Sequence, residues 1–394
     1  MKIFLLILLM GFGVEAGQGQ DLSDRLTKDA NIGILTVGPA EPAFSVFGHT
    51  AIRVQDSAAH IDRVYNYGTF NPEVSGFYWK FLYVSLDYYL SVIPYSQFVK
   101  ANKALGRSIV SQTLDLSPAE VHKLANALER NMEVKNRAYQ YHFFSQNCVT
   151  EVVDLLAREN IWLPDNQITA TSLTGATYRQ KTNAYLSGRP WMKLGVNLML
   201  AAPADQRPDR PREQNALPSD LHLALTGATQ PSGELLIKSE KTIATAVTKE
   251  KEAIFRPLMV FWVAFLIIVA LTSISVYKGW ELWWLDRAIF GIIGLLGIII
   301  AIGSFVSLHK SLNQNWNLLW ALPTHLFIAV GVKTMSRNKW YRLYFWVVLL
   351  LNIFVLAGWT FIPQQLPNPI IPLLYALIIR LSYRLYSGYV TLND

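Results

Sequence analysis

The sequence predicts an α+β domain followed by a transmembrane domain of five helices. Apolar residues make up 52% of the 394 and concentrate at the two ends of the chain, a pattern that places it among membrane proteins. Between residues 30 and 70 apolar and polar side chains alternate with the period of two that marks strands. A complete helix start, Ser117-Pro118-Ala119-Glu120, stands between those strands and the first long apolar run.

In chain order, Met1-Lys2, the apolar run Ile3 to Val14 and Glu15-Ala16-Gly17 fit a signal peptide over residues 1–16, cut after Ala16. The run is short for a full span, which favours cleavage over anchoring. Residues 21–200 can bury a full core and form the expected catalytic domain. Within it Ile32 to Val37, Phe44 to Val54 and Arg63 to Tyr67 are expected strands of a hairpin or small antiparallel sheet, and Arg107 to Leu116 is another. The stretch Phe77 to Tyr89, with Tyr78, Trp79, Phe81, Tyr83, Tyr88 and Tyr89, fits either a core or a surface facing lipid or substrate.

From Ser117, a capping residue, a proline at the first helical position and an acid at the third lead into Val121, Leu124, Ala125 and Leu128 at helical spacing. A Tyr- and Phe-rich approach, Asn136 to Phe144, precedes Cys148. Beyond it Val149, Val152, Val153, Leu155 and Leu156 form an apolar face opposite Glu151, Asp154 and Arg158, which puts Cys148 in the first turn of a helix. Residues 201–257 read as a linker, polar and rich in Pro and Arg from Pro203 to Pro218, and a small juxtamembrane region.

The transmembrane domain, 258–387, holds five apolar segments at about 258–277, 287–307, 318–332, 343–362 and 370–387. The third is short and contains Pro323. The loop after it carries Lys333, Arg337, Lys339 and Arg342 without an acid, so the positive-inside rule puts it in the cytoplasm, with the C-terminus, and residues 21–200 outside. Much of the local charge excess within the net +7 then has a topological origin and supports no nucleic-acid partner.

The chain has one cysteine, Cys148, and an exported protein cannot pair a single thiol within itself. It is a nucleophile or an inert buried thiol. Only the thiolate attacks well, and N–H groups at a helix start favour it. A thiol nucleophile needs an imidazole to take its proton. Of the seven histidines, His49 follows Phe47-Gly48 on an expected strand, His60 opens the next one and His142 lies close before Cys148, while His122 sits on solvent after a helix cap. Asn66, Asp62 or His60 could orient the base, and Asn147, Tyr67 and His142 are further orienting or pocket candidates. With no HExxH, no thiolate-rich zinc set and no glycine-rich phosphate loop, neither metal nor cofactor is expected.

Five segments in order carry a family resemblance: residues 34–42, Ser45-Val46-Phe47-Gly48-His49-Thr50-Ala51-Ile52, residues 64–70, Leu86-Asp87-Tyr88-Tyr89-Leu90, and Phe143-Phe144-Ser145-Gln146-Asn147-Cys148-Val149-Thr150. Together they resemble the Lnb N-terminal periplasmic domain over roughly residues 30–190. The membrane half is similar to Lnb proteins of Bacteroidota through His309, Asn313 and residues 315–320. Gln146 departs from the Asp that many relatives carry. The resemblance implies a permuted papain-like domain, NlpC-like or LRAT-like, ahead of the membrane helices. It also implies transfer of an acyl chain from phospholipid to the N-terminal amine of diacylglyceryl lipoproteins at the inner membrane of a Gram-negative bacterium. Cys148 would hold the chain as a thioester and His49 would be the base. His309, Asn313, Asn315 and Asn317 would face the same side and contact headgroup or acceptor. A membrane-bound phospholipase, a papain-like cell-wall peptidase or amidase, and a non-enzymatic membrane sensor are the alternatives.

Overall fold

The structure, a computed structural model, describes residues 22–41, 45–70, 74–76, 79–80, 83, 87–162, 175–247, 254–331 and 338–393. The expected signal peptide, Tyr78, Phe81, Lys333 and Arg337 lie outside them. The chain divides into two compact units, residues 1–176 with 207–250 and residues 177–206 with 251–394.

The first unit is built on a seven-stranded antiparallel sheet in the order β6-β4-β3-β2-β1-β5-β7. The strands are β1 Asn31–Val37, β2 His49–Asp56, β3 Ile61–Thr69, β4 Asp87–Pro94, β5 Ile109–Leu114, β6 Ala138–Gln140 and β7 Ile237–Ala244. β1 is an interior strand, and its Ile32, Ile34, Leu35 and Val37 are all buried, as a strand covered on both faces requires.

Successive residues face opposite sides, so one face gathers Ile34, Ile52, Val54, Tyr65 and Tyr67 beneath helices Pro118–Met132, Cys148–Arg158 and Pro218–Thr226. The other gathers Leu35, Val37, Ala51, Val64 and Ile109 with Phe98 of helix Tyr95–Ala104. The Pro118–Met132 helix starts on a full capping box, Ser117 and Glu120 each satisfying the other's backbone N–H, and buries Val121, Leu124, Ala125 and Leu128. Cutting the fully buried Leu124 to Ala would cost about 2–5 kcal/mol.

The second unit contains helices Tyr178–Tyr185, Pro190–Met199, Pro257–Lys278, Trp283–Phe305, His325–Gly331, Lys339–Ala357 and Ile371–Asn393. A buried ion cluster ties two of them together. Arg380 clasps Asp286 with two hydrogen bonds of 2.8 and 2.9 Å, Arg384 adds a third at 2.6 Å, and its guanidinium lies 3.8 Å from the Trp283 ring centroid.

Two expectations about the fold are corrected. The sheet is open, with β6 and β7 as its edges, and is not the closed papain-like arrangement. Among the described residues four helices, not five, are long and apolar enough to cross a membrane: Pro257–Lys278, Trp283–Phe305, Lys339–Ala357 and 368–387. The third apolar segment is broken into a 3-10 turn, Trp316–Leu319, and the short helix His325–Gly331.

The break has visible causes. Pro323 cannot donate an N–H, and the segment presses backbone to backbone on the Trp283–Phe305 helix, where a Cβ on Gly297 would lie 2.2 Å from the Ala321 carbonyl oxygen. His325 takes up freed polar groups, its ring nitrogens meeting the Trp320 carbonyl at 3.0 Å and the Tyr344 hydroxyl at 2.7 Å.

Candidate active site

The start of helix Cys148–Arg158 is fixed by Asn147. Its Oδ1 accepts from the N–H groups of Val149 (2.8 Å) and Thr150 (3.1 Å), and its Nδ2 donates to the carbonyls of Phe143 and Ala216 at 3.0 and 3.1 Å. Asn147 thus holds the backbone that aims Cys148 and has no donor left for a substrate.

The ladder between β2 and β3 runs from Asp56 opposite Ile61 to Ile52 opposite Tyr65 and stops there. Thr50 lies past its end, and its backbone N–H is donated to the Cys148 thiol instead. Two glycines make room. Gly68, at φ 91°, would carry a Cβ only 3.7 Å from that of Cys148, and Gly48, at φ 78°, would drive one to 2.6 Å from the Val37 carbonyl oxygen. His49, the neighbour of Thr50, hydrogen-bonds through Nε2 to Asn66 Oδ1 at 3.3 Å. No hydrogen bond joins imidazole and thiol directly, a common state before substrate closes a site.

Burial governs both groups. It pushes the Cys148 thiol up from its ordinary range, against the Thr50 N–H and the Arg107 cation, which pull it down. The sequence-based expectation that the helix start leaves the sulfur primed as an anion is therefore outweighed by desolvation. His49 is lowered to about 4, first by burial and then by Arg107, with the Asn66 bond opposing. At neutral pH the site holds a thiol and a neutral imidazole, so the proton moves when the sulfur attacks.

Three tyrosines wall the site. β4 and β6 pair Tyr88 opposite Tyr139, Tyr88 stacks on Tyr141 at 4.5 Å, and burial raises all three hydroxyls above their ordinary range. The Tyr139 hydroxyl is buried without a hydrogen-bond partner among the described residues and lies 3.6 Å from where a Gly68 Cβ would sit. Thr50, Arg107 and Tyr139 were not singled out from sequence. The only signal was the Tyr-rich approach to Cys148.

Most of the remaining candidates have partners of their own. His60 (φ 56°) sits in the turn beyond the far end of β2, more than ~20 Å of extended chain from His49. Asp62 is held by Arg53 through bonds of 2.7 and 2.8 Å. The Tyr67 hydroxyl accepts from Asn131 in the core at 2.7 Å, and His142 closes a small backbone bridge with Gln146.

In the second unit Asn315 donates to the Leu198 and Met199 carbonyls, and Asn317 donates to Leu198 and accepts from the Trp320 indole. Both brace that unit from within. His309 is buried at the start of a 3-10 turn, and Asn313 ends it with a buried, unpartnered Oδ1.

A thiol at a helix start that accepts the Thr50 N–H, one residue from His49, on a chain that runs on into membrane helices, defines a membrane-anchored thiol enzyme. Comparison gives the class a family. Residues 26–183 match the Lnb N-terminal periplasmic domain and residues 249–390 match the Lnb transmembrane domain. The chain belongs to the Lnb family of lipoprotein N-acyltransferases. It is a thiol-dependent acyltransferase of the inner membrane with a periplasmic N-terminal domain, a phospholipid as acyl donor and a lipoprotein as acceptor. No curated protein and no solved structure matches the chain.

Proposed function

We propose that Cys148 carries the acyl chain as a thioester, that His49 moves the protons and that Asn66 orients His49. The observation that supports this best is the Thr50 N–H held on the Cys148 thiol, one residue from an imidazole bonded to Asn66. The sulfur attacks the donor ester while His49 takes its proton. The ester C–O bond then breaks, and His49 returns the proton to the departing lysophospholipid oxygen. In the second half the lipoprotein α-amine attacks the thioester, His49 accepts its proton, and the C–S bond breaks to restore the thiol and leave an amide. The Tyr139 hydroxyl is a donor for each oxyanion, and the Thr50 N–H becomes a second one as charge passes from the sulfur to the carbonyl oxygen. Burial keeps water from competing with the amine.

The C-terminus faces the cytoplasm on this reading. Helix Pro257–Lys278 leaves the periplasmic domain, so its far end points inward, and there Ser275 shares a 2.9 Å hydrogen bond with Tyr383 near the end of the last helix.

Cys148→Ala and His49→Ala should each abolish N-acylation while expression and membrane insertion persist. Mass analysis of lipoprotein N-termini, in a strain lacking its own N-acyltransferase, reads this out. Full acylation by Cys148→Ala would refute the assignment.

A further inference from the structure

Arg107 is buried and incompletely used. Its Nε donates to the Gly38 carbonyl at 2.8 Å and its Nη1 to Asn102 Oδ1 at 3.1 Å, but Nη2 is buried with no partner, and no carboxylate pairs with the guanidinium among the described residues. Burial lowers its pKa to about 10, which leaves it a cation at neutral pH. A buried cation of this kind needs an anion.

The guanidinium borders a cavity of about 450 Å³ also lined by Lys103 and by residues 242–245 and 247. Lys103 is exposed and makes no ion pair among the described residues. Thr242 and Thr245 add hydroxyls, and the Val247 N–H, bonded to the Gly106 carbonyl at 3.0 Å, ties the chain beyond β7 to the turn before β5.

Register puts the β7 wall of the cavity three strands from His49, with Arg107 at the end nearer the thiol site. Ala244, Ile109, Val37 and His49 form one row across β7, β5, β1 and β2. Arg107 reaches Gly38, just past Val37, so its charge sits about one strand spacing, roughly 5 Å, from the strand that carries His49.

We propose that this cavity is the subsite for the phosphodiester headgroup of the acyl donor, a reading that rests on Cys148 taking its chain from that same lipid. The short glycerol spacer of a phospholipid joins an ester to a phosphate, and here the Arg107 charge acts on both Cys148 and His49. The chemistry also separates the two substrates. Both are diacylglyceryl lipids, but only the donor carries a phosphate, while the acceptor amine, when protonated, is repelled by Arg107 and Lys103. The cation pair therefore selects the donor for the first half-reaction and gives up its anion when the lysophospholipid departs.

The test compares dioleoyl phosphatidylglycerol with dioleoylglycerol, which lacks the phosphate, as donors to the full chain in detergent micelles, following thioester formation on Cys148. Wild type should prefer the phospholipid, and Arg107→Gln should cut that preference in kcat/KM about tenfold or more, mainly through KM. Lys103→Glu, at an exposed position with little bearing on folding, should cut it several-fold. Glycerol 3-phosphate should compete with the phospholipid, and inorganic phosphate should compete far more weakly.

An equal loss for both donors in Arg107→Gln, together with an unchanged ratio in Lys103→Glu, would overturn the proposal. So would inhibition by inorganic phosphate as strong as by glycerol 3-phosphate, which would mark a site for free phosphate. Calorimetric binding of short-chain phosphatidylglycerol to the Cys148→Ala protein separates the two readings. Arg107-dependent binding without any thioester in wild type removes the Cys148 role and keeps the headgroup site, whereas a thioester formed without headgroup preference does the reverse.

Discussion

Arg107 and Arg179 are both buried arginines, and they are used in opposite ways. In the second unit Arg179 spends all three nitrogens. It forms a fork onto Asp205 at 2.8 and 3.0 Å, with further bonds to Asn197 and to the Leu200 and Ala201 carbonyls. In the first unit Arg107 has, among the described residues, two neutral acceptors, no carboxylate and one idle nitrogen. A satisfied buried cation builds structure. An unsatisfied one, with an idle tyrosine hydroxyl in the same unit, marks where a substrate completes the bonding.

The contrast can be broken most sharply at its structural end. Arg179→Ala removes the cation paired with Asp205, which keeps the Gln365 N–H, and takes one donor from each of three carbonyls, so it should destabilise the protein by about 3–5 kcal/mol, seen as a large fall in thermal midpoint in detergent. A small shift there would erase the distinction. Asn66→Ala frees the His49 ring and should lower kcat by roughly tenfold to a hundredfold with little change in KM. An unchanged kcat would remove Asn66 from the mechanism.

The pH profile sharpens the same comparison. His49 must be unprotonated to act as a base, and its pKa is lowered to about 4, so the rate should stay level as pH falls through 6 and drop only near 4. Removing the Arg107 charge takes away one cause of that lowering, so Arg107→Gln should move the acid limb to higher pH. A limb near the ordinary histidine value in wild type would contradict the buried, neutral imidazole. The smallest effect on folding is expected for Tyr139→Phe. It deletes a hydroxyl with no partner, so stability should change by less than about 1 kcal/mol while kcat falls several-fold. A fall in stability with kcat intact would make Tyr139 structural.

Features set by neighbours in sequence were legible before the structure. The Ser117–Glu120 box starts its helix where spacing placed it, and Cys148 is the first residue of the helix that Val149, Val152 and Val153 implied. Features set by register were not. The bond between His49 and Asn66 requires the pairing of β2 with β3, and β7 joins β5 from more than a hundred residues away. The broken segment around Pro323 was overcounted as a span because hydropathy does not register a proline and the close approach of Gly297 to the Ala321 carbonyl. A helix start read alone favours the thiolate, whereas burial by distant strands sets the sign of the Cys148 shift.

The central claim is that the acyl chain passes through the sulfur of Cys148. Purified full chain incubated with acyl-labelled phospholipid, without acceptor, then acid-quenched and digested, should yield a labelled peptide containing Cys148 that hydroxylamine strips at neutral pH. Lipoprotein N-acylation proceeding at its normal rate with no label ever found on that peptide would contradict the account.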